Sequence, residues 1–212
     1  PHGVDPETYT LPVDGKKVEW ASLGYPGEYG IGIFARIRAQ KGIGILVDAM
    51  IPIMKENPAP TVLIAGETTQ SNEGFVKKLK EKIKEENLED RIIFLGKIHY
   101  DNEVPKLMRG LSIVTALSTI EGFGLPVLEA MASGCAVVAS RTGAWEDIIE
   151  ENVHGKLVPC NDTKSAHKAL KELTENYPNL EKMGINGRNR VKELYTIESE
   201  AKSLLDLYQR QE

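Results

Sequence analysis

Six short apolar runs recur along this chain with helical stretches between them, and that alternation leaves few folds open. The runs are IGIFA after Tyr29, TVLIAGE, RIIFLG, LSIVTAL, CAVVAS and GKLVP. Each reads as a strand. After the first, Ile43, Leu46, Val47, Met50, Ile51 and Met54 recur at three- and four-residue intervals, the buried stripe of a helix from about Ile43 to Asn57. Pro52 conflicts with that stripe and predicts a kink. Further helices are expected at Phe75–Glu86, Val104–Arg109 and Pro126–Ser133, over TGAWEDII, and from about Thr163 to Gln211, where Leu194, Ile197, Ala201, Leu204, Leu205 and Tyr208 form the last apolar stripe. Strands alternating with helices over roughly 130 residues imply an α/β fold: a right-handed, doubly wound, Rossmann-like parallel sheet of about six strands with helices on both faces.

The stretch with the most chemistry is Glu121–Glu129, EGFGLPVLE, with Ser118 and Thr119 just before it. Pro126 suits the first position of a helix, where its missing N–H costs nothing. Free N–H groups near Gly124, Leu125, Val127 and Leu128, with the helix dipole behind them, would attract an anion such as phosphate. Gly122 and Gly124 let a ligand approach the backbone. Glu121 and Glu129 add acceptors for paired hydroxyls, as on a ribose or a hexose, and both could face one crevice. Taken singly, Glu129 reads equally well as an acidic residue at a helix start, and Glu121 as a solvated loop residue. Their joint occurrence in a glycine-rich turn between an apolar strand and an apolar helix favours a site.

Arg36 and Lys41 lie beyond the end of the first strand, the edge where ligands bind in open parallel sheets, although spacing alone fits two exposed loop cations better. Thr142 or Gly143 is a cap for the TGAWEDII helix, and Glu146 is expected in a capping interaction at its positive end.

Several function classes are disfavoured. With 212 residues, 41% of them hydrophobic, the chain is one ordinary globular domain or two small ones. Its 31 acidic against 26 basic side chains, net −5, argue against a nucleic-acid surface. The basic run KKLKEKIK at Lys77–Lys84 alternates with Phe75, Leu79 and Ile83 as a solvated helix face does, a membrane-surface role being the minority reading. Cys135 and Cys160 make neither a disulfide framework nor a metal site, and His2, His99, His154 and His167 are scattered. There is no signal peptide and no run of 18 apolar residues, so the chain reads as cytosolic. Without a Walker A sequence or a GxGxxG, P-loop and nicotinamide readings are weak.

EGFGLPVLEAMASGCAVVAS resembles the Glu-x7-Glu signature of retaining glycosyltransferases with the two-domain GT-B fold, specifically glycosyltransferase family 4, and the likeness runs from Pro1 to about Tyr208. PHGVDPETY, an entry loop by pattern, is similar to the family's "NGVD" segment after the hinge between halves, with His2 in place of Asn. The resemblance therefore implies three parts: an entry segment, 1–28, from a preceding half; a nucleotide-sugar-binding domain, 29–193; and a C-terminal helix, 194–212, that packs on that other half.

FARIRAQKG resembles the family's "GRL…KG" segment, which gives Arg36 and Lys41 the donor diphosphate. By the same resemblance Glu121 holds the sugar hydroxyls on the acceptor side, Glu129 binds the ribose, and Gly122, Phe123, Gly124 and Leu125 cradle the phosphates. Lys97 and Ile98 read the nucleobase, largely through backbone groups. The family needs no metal and no cofactor. Its partners would be a nucleotide-diphosphate sugar and a glycan or lipid-linked acceptor held by the other half, which would also make any membrane contact; the place would be the cytoplasm, peripheral to the inner membrane. The joint pattern is most similar to bacterial mannosyltransferases of lipopolysaccharide core synthesis, which favours GDP-mannose. UDP-sugar donors and a nucleotide-sugar-binding module without turnover are the alternatives; an epimerase would need a different acid/base set.

Overall fold

The computed structural model describes residues 2–9 and 17–209. All six expected strands are present: β1 (Tyr29–Phe34), β2 (Pro60–Ala65), β3 (Ile92–Gly96), β4 (Leu111–Ala116), β5 (Ala136–Ser140) and β6 (Gly155–Val158). They form one sheet in the order β3-β2-β1-β4-β5-β6, every neighbouring pair parallel. The chain starts in the middle, builds outward through β2 and β3, then returns to build β4 to β6. The winding therefore reverses between β1 and β4, the place in an open parallel sheet where ligands bind, and the loops leaving the two strands lie side by side there. The β1–β4 ladder pairs Gly30 with Leu111, Ile31 with Ile113 and Gly32 with Val114, a register shift of one residue lying between the first two pairs.

The helices are α1 (Pro6–Tyr9), α2 (Ile43–Glu56), α3 (Glu73–Glu85), α4 (Glu103–Gly110), α5 (Leu125–Ala132), α6 (Trp145–Ile148), α7 (Thr163–Glu175), α8 (Tyr177–Leu194) and α9 (Ile197–Gln209). Successive strand residues face opposite ways, so one sequence builds two cores. Ile31, Ile33, Val62, Ile64, Ile113 and Val138 pack against α2, α3 and α7. Leu63, Val114, Val137 and Ala139 face the other way, against α4, α5 and α6. At about 25 cal/mol per Å² of apolar surface, this double-sided burial is the main stabilising term.

Three expectations change in detail. First, α2 is one continuous helix through Pro52, whose side is exposed, so the lost N–H bond falls on the solvent face. Second, the stretch from Thr163 is three helices: the Asp162 carboxylate accepts from the Ser165 N–H at 3.0 Å to start α7, and the Asn176 side chain accepts from the Asn179 N–H at 3.3 Å to start α8. The last residues of that predicted stretch, 210 and 211, lie outside the described residues. Third, the segment read as an entry loop carries the α1 turn and buries Val4 and Tyr9 in the second core. The Val4 N–H donates to Tyr195 O at 2.9 Å and Val4 O accepts from the Ile197 N–H at 3.3 Å, which ties this segment to the start of α9. Beyond that tie, Leu204, Leu205, Leu207 and Tyr208 on α9 are exposed.

Candidate functional site

Two loops meet at the reversal point. Beyond β1 the chain makes a 3-10 turn, Ala39–Lys41, and enters α2; beyond β4 it runs through Leu117 to Gly124. The Thr119 N–H donates to Gln40 O at 2.9 Å, so the loops are joined by backbone. That join brings Lys41 Nζ to 2.7 Å from Glu121 Oε2, with the two side chains 16% and 23% exposed. Ser118 Oγ lies 3.4 Å from the same carboxylate oxygen. Partial burial keeps this pair less screened than a surface ion pair. Arg36 stands at the same edge, exposed, with no ion-pair partner among the described residues.

The Gly122–Leu125 stretch is held from behind by α6. The Ala144 N–H donates to Gly122 O at 3.2 Å, and Trp145 Nε1 lies 3.4 Å from Gly124 O, the indole itself being fully buried. Gly124 has φ +77°, and a Cβ there would fall 2.1 Å from Trp145 Nε1; only glycine fits. The N–H groups of Phe123, Gly124 and Leu125 donate no hydrogen bond among the described residues. They remain open for an anion at the start of α5. The expectation for Val127 fails: its N–H is taken by Gly124 O at 3.1 Å, because the helix begins at Leu125, one residue earlier than expected, and its first turn closes on Gly124. The Phe123 ring meets the His2 imidazole edge-on at 4.9 Å between centroids, and Glu200 of α9 fixes His2, accepting from Gly3 N–H at 2.8 Å while lying 3.0 Å from His2 Nδ1.

Glu129 lies on α5. It is 2% exposed, and its Oε1 accepts from the Tyr100 hydroxyl. Burial raises its pKa, and the Tyr100 hydroxyl, then the Tyr9 hydroxyl, oppose that rise. The Tyr100 phenol is pushed up to about 12, by burial first and then by the hydrogen bond to Glu129. Tyr9 packs edge-on against Tyr100 at 6.4 Å; its hydroxyl is buried without a hydrogen-bond partner, and burial, then Tyr100 and Glu129, raise its pKa.

A cavity of about 210 Å³ at the ends of β1, β2 and β3 is lined by Ala35, Gly66, Lys97, Ile98, Tyr100 and Glu129 among others, so the structure brings Lys97, Ile98 and Glu129 together. No described cavity is lined by both glutamates. Tyr9, Tyr100 and Trp145 were not singled out from sequence; each acts through a partner 21 or more residues away.

Two readings at α6 are corrected. Its N-cap is Ala144 with no side-chain cap, in place of Thr142 or Gly143, and Glu146 lies 3.4 Å from Arg141 instead of capping. Arg141 reaches Glu146 because β5 ends just before it, at the same edge. No group of three or more His, Cys, Asp or Glu residues that could hold a metal ion occurs among the described residues, and no helix there is long and apolar enough to cross a membrane.

Comparison with known proteins places this geometry. The family model described as glycosyl transferases group 1 matches residues 19–190. Lipopolysaccharide core biosynthesis mannosyltransferase LpsB of Rhizobium meliloti is 32% identical across 98% of this chain and 59% of its own length. LpcC of Rhizobium leguminosarum bv. viciae, of the same description, is 34% identical across 98% of this chain and 58% of its own. The chain spans about three-fifths of these curated relatives. Among solved structures, the C-terminal domain of the glycosyl transferase group 1 family protein LpcC from Francisella tularensis superposes with a TM-score of 0.86 at 39% identity, covering 92% of this chain and all of that one. With its six-stranded Rossmann-like half of a GT-B fold, wound outward from a reversal between β1 and β4, this chain belongs to the group 1 glycosyltransferases.

Proposed function

We propose that this domain binds the sugar-nucleotide donor, GDP-mannose, of a retaining mannosyltransferase that acts on a lipopolysaccharide-type or other glycan acceptor. The observation that carries the reading is the Lys41–Glu121 pair at the reversal point, 2.7 Å apart, beside the open N–H groups of Phe123, Gly124 and Leu125. Breaking a glycosyl phosphate bond builds negative charge on the departing diphosphate and positive character on the sugar ring. Lys41, Arg36 and the start of α5 supply positive charge and N–H donors before reaction begins, which is how a site stabilises a leaving group without a metal. Glu121 holds the sugar hydroxyls and, as an anion next to the ring, favours its positive character. Glu129 takes the ribose hydroxyls, and Lys97 and Ile98 flank the base. Support for mannose comes from the two curated relatives, both described as mannosyltransferases.

In this reading the acceptor is held by another half of the molecule, residues 1–28 lead from it and the 194–212 helix packs on it. The isolated domain then binds donor without turning it over. Contact with the inner membrane, on its cytoplasmic side, belongs to that other half.

Calorimetric titration of this chain with GDP and with UDP, each repeated on Glu129→Ala, tests the reading. Selective GDP binding lost in Glu129→Ala supports it. Selective UDP binding keeps the site and replaces the donor, and binding of neither removes the proposal. Tight binding without product from the longer protein and lipid-linked acceptors would instead indicate a binding module.

A further inference from the structure

Tyr100 stands in an unexpected place: it occupies the carboxylate that the proposed function assigns to the ribose. Its hydroxyl donates to Glu129 Oε1, while the residue as a whole is 56% exposed on the loop after β3. Tyr100 and Glu129 also line two cavities at once. One is the cavity of about 210 Å³ with Lys97 and Ile98; the other, about 280 Å³, includes Gly3, Thr8, Tyr9 and Leu125. The phenol is therefore a partition between them. Tyr9, only 4% exposed, lines the larger cavity with Tyr100 and Glu129 and packs edge-on against the Tyr100 ring.

We propose that Tyr100 is a gate on the nucleotide: its hydroxyl engages Glu129, and the ribose hydroxyls of a nucleoside diphosphate bind by displacing it. The proposal rests on Glu129 being the ribose acceptor. A buried carboxylate left without a donor is costly, so Glu129 needs one both before and after the exchange. Tyr100 supplies it first, and the ribose O–H groups supply it afterwards. The exposed ring has room to swing toward solvent, whereas Tyr9 is fixed in the core and stays as the wall. Because the competent arrangement is only part of the population, apparent affinity is lowered by the fraction that is open.

The competition is specific to ribose hydroxyls, and that makes it separable from a merely structural role. Tyr100→Phe keeps the ring and removes the competing hydroxyl. We expect it to tighten binding of GDP, or of UDP if that is the nucleotide bound, by about fivefold. The 2′,3′-dideoxy analogue of the same nucleotide has no hydroxyls to place on Glu129, so its weaker affinity should be the same in both proteins. Tyr100→Ala, which also removes the ring, should repeat the ribonucleotide gain. Calorimetry on the full chain reads all of these, with thermal unfolding confirming that each variant is folded. If the wild type binds and Tyr100→Phe binds equally or more weakly, or if the dideoxy analogue gains as much, the gate is overturned and the donor site stands. If no nucleotide binds to the wild type or to either variant, the donor-site reading falls and takes the gate with it.

Discussion

Lys41 and Glu121 are 80 residues apart in sequence and 2.7 Å apart in space, one from each loop of the sheet's reversal point. Neither loop alone makes the pair. Lys41→Ala should weaken nucleoside diphosphate binding by about tenfold or more, since it removes the charge-assisted contact proposed for the phosphates. Glu121→Ala should leave that affinity within about threefold but abolish sugar transfer in the longer protein, because its role is proposed to fall on the reacting sugar. Titration of the domain and a transfer assay on the longer protein separate the two effects.

Glu129 carries a pH signature. Burial raises its folded pKa above 4.5, so between the unfolded and folded values the folded state holds more protons. Stability therefore falls as pH rises through that window and stays lower at neutral pH. Glu129→Gln should raise the melting temperature at pH 7 by about 2–4 °C and lose that advantage as pH approaches 4. The same variant should bind nucleotide poorly. Thermal scans at the two pH values check the sign.

Gly66 is a backbone requirement in the lining of the cavity shared by Lys97, Ile98 and Glu129. Its φ is +156°, and a Cβ would lie 1.7 Å from Ala35 O, where β1 and β2 end side by side. Gly66→Ala should cost about 3 kcal/mol or more, since neither backbone can move without breaking the Gly66 N–H to Gly96 O bond of 2.8 Å. A urea midpoint shift at unchanged slope is the expected readout.

Trp145 supports the Gly122–Leu125 loop from the core. Trp145→Ala should cost about 3–5 kcal/mol by cavity formation and also loosen Gly122–Leu125. Trp145→Phe, which fills most of the space but drops the indole N–H, should be milder in stability while still weakening nucleotide binding. Chemical unfolding and calorimetry on the two variants check both parts.

The sheet was legible because its strands are buried on both faces and stand out as short apolar runs, as at β2 and β5, where every residue is buried. The long helix α2 was legible by its stripe, though not its passage through Pro52, whose exposure depends on where the sheet lies. Lys97, Ile98 and Glu129 were assigned by resemblance, and they do share a cavity. Tyr100 was hidden: a single tyrosine in a polar loop carries no period, and its meaning depends on a carboxylate 29 residues away. Val4 and Tyr9 were hidden for a similar reason. Their partners lie on distant elements, so the local pattern looked like an unstructured approach to the fold.

The one-residue shift in the β1–β4 ladder has a reach beyond the sheet. A strand advances about 3.3 Å per residue, so one further slip would carry Lys41 past Glu121 by more than the 2.7 Å that now joins them. The backbone tie from Thr119 to Gln40 would break with it. Register in the middle of this sheet is thus a ruler for the Lys41–Glu121 contact at its edge, and the side chains around Gly30 and Leu111 calibrate it.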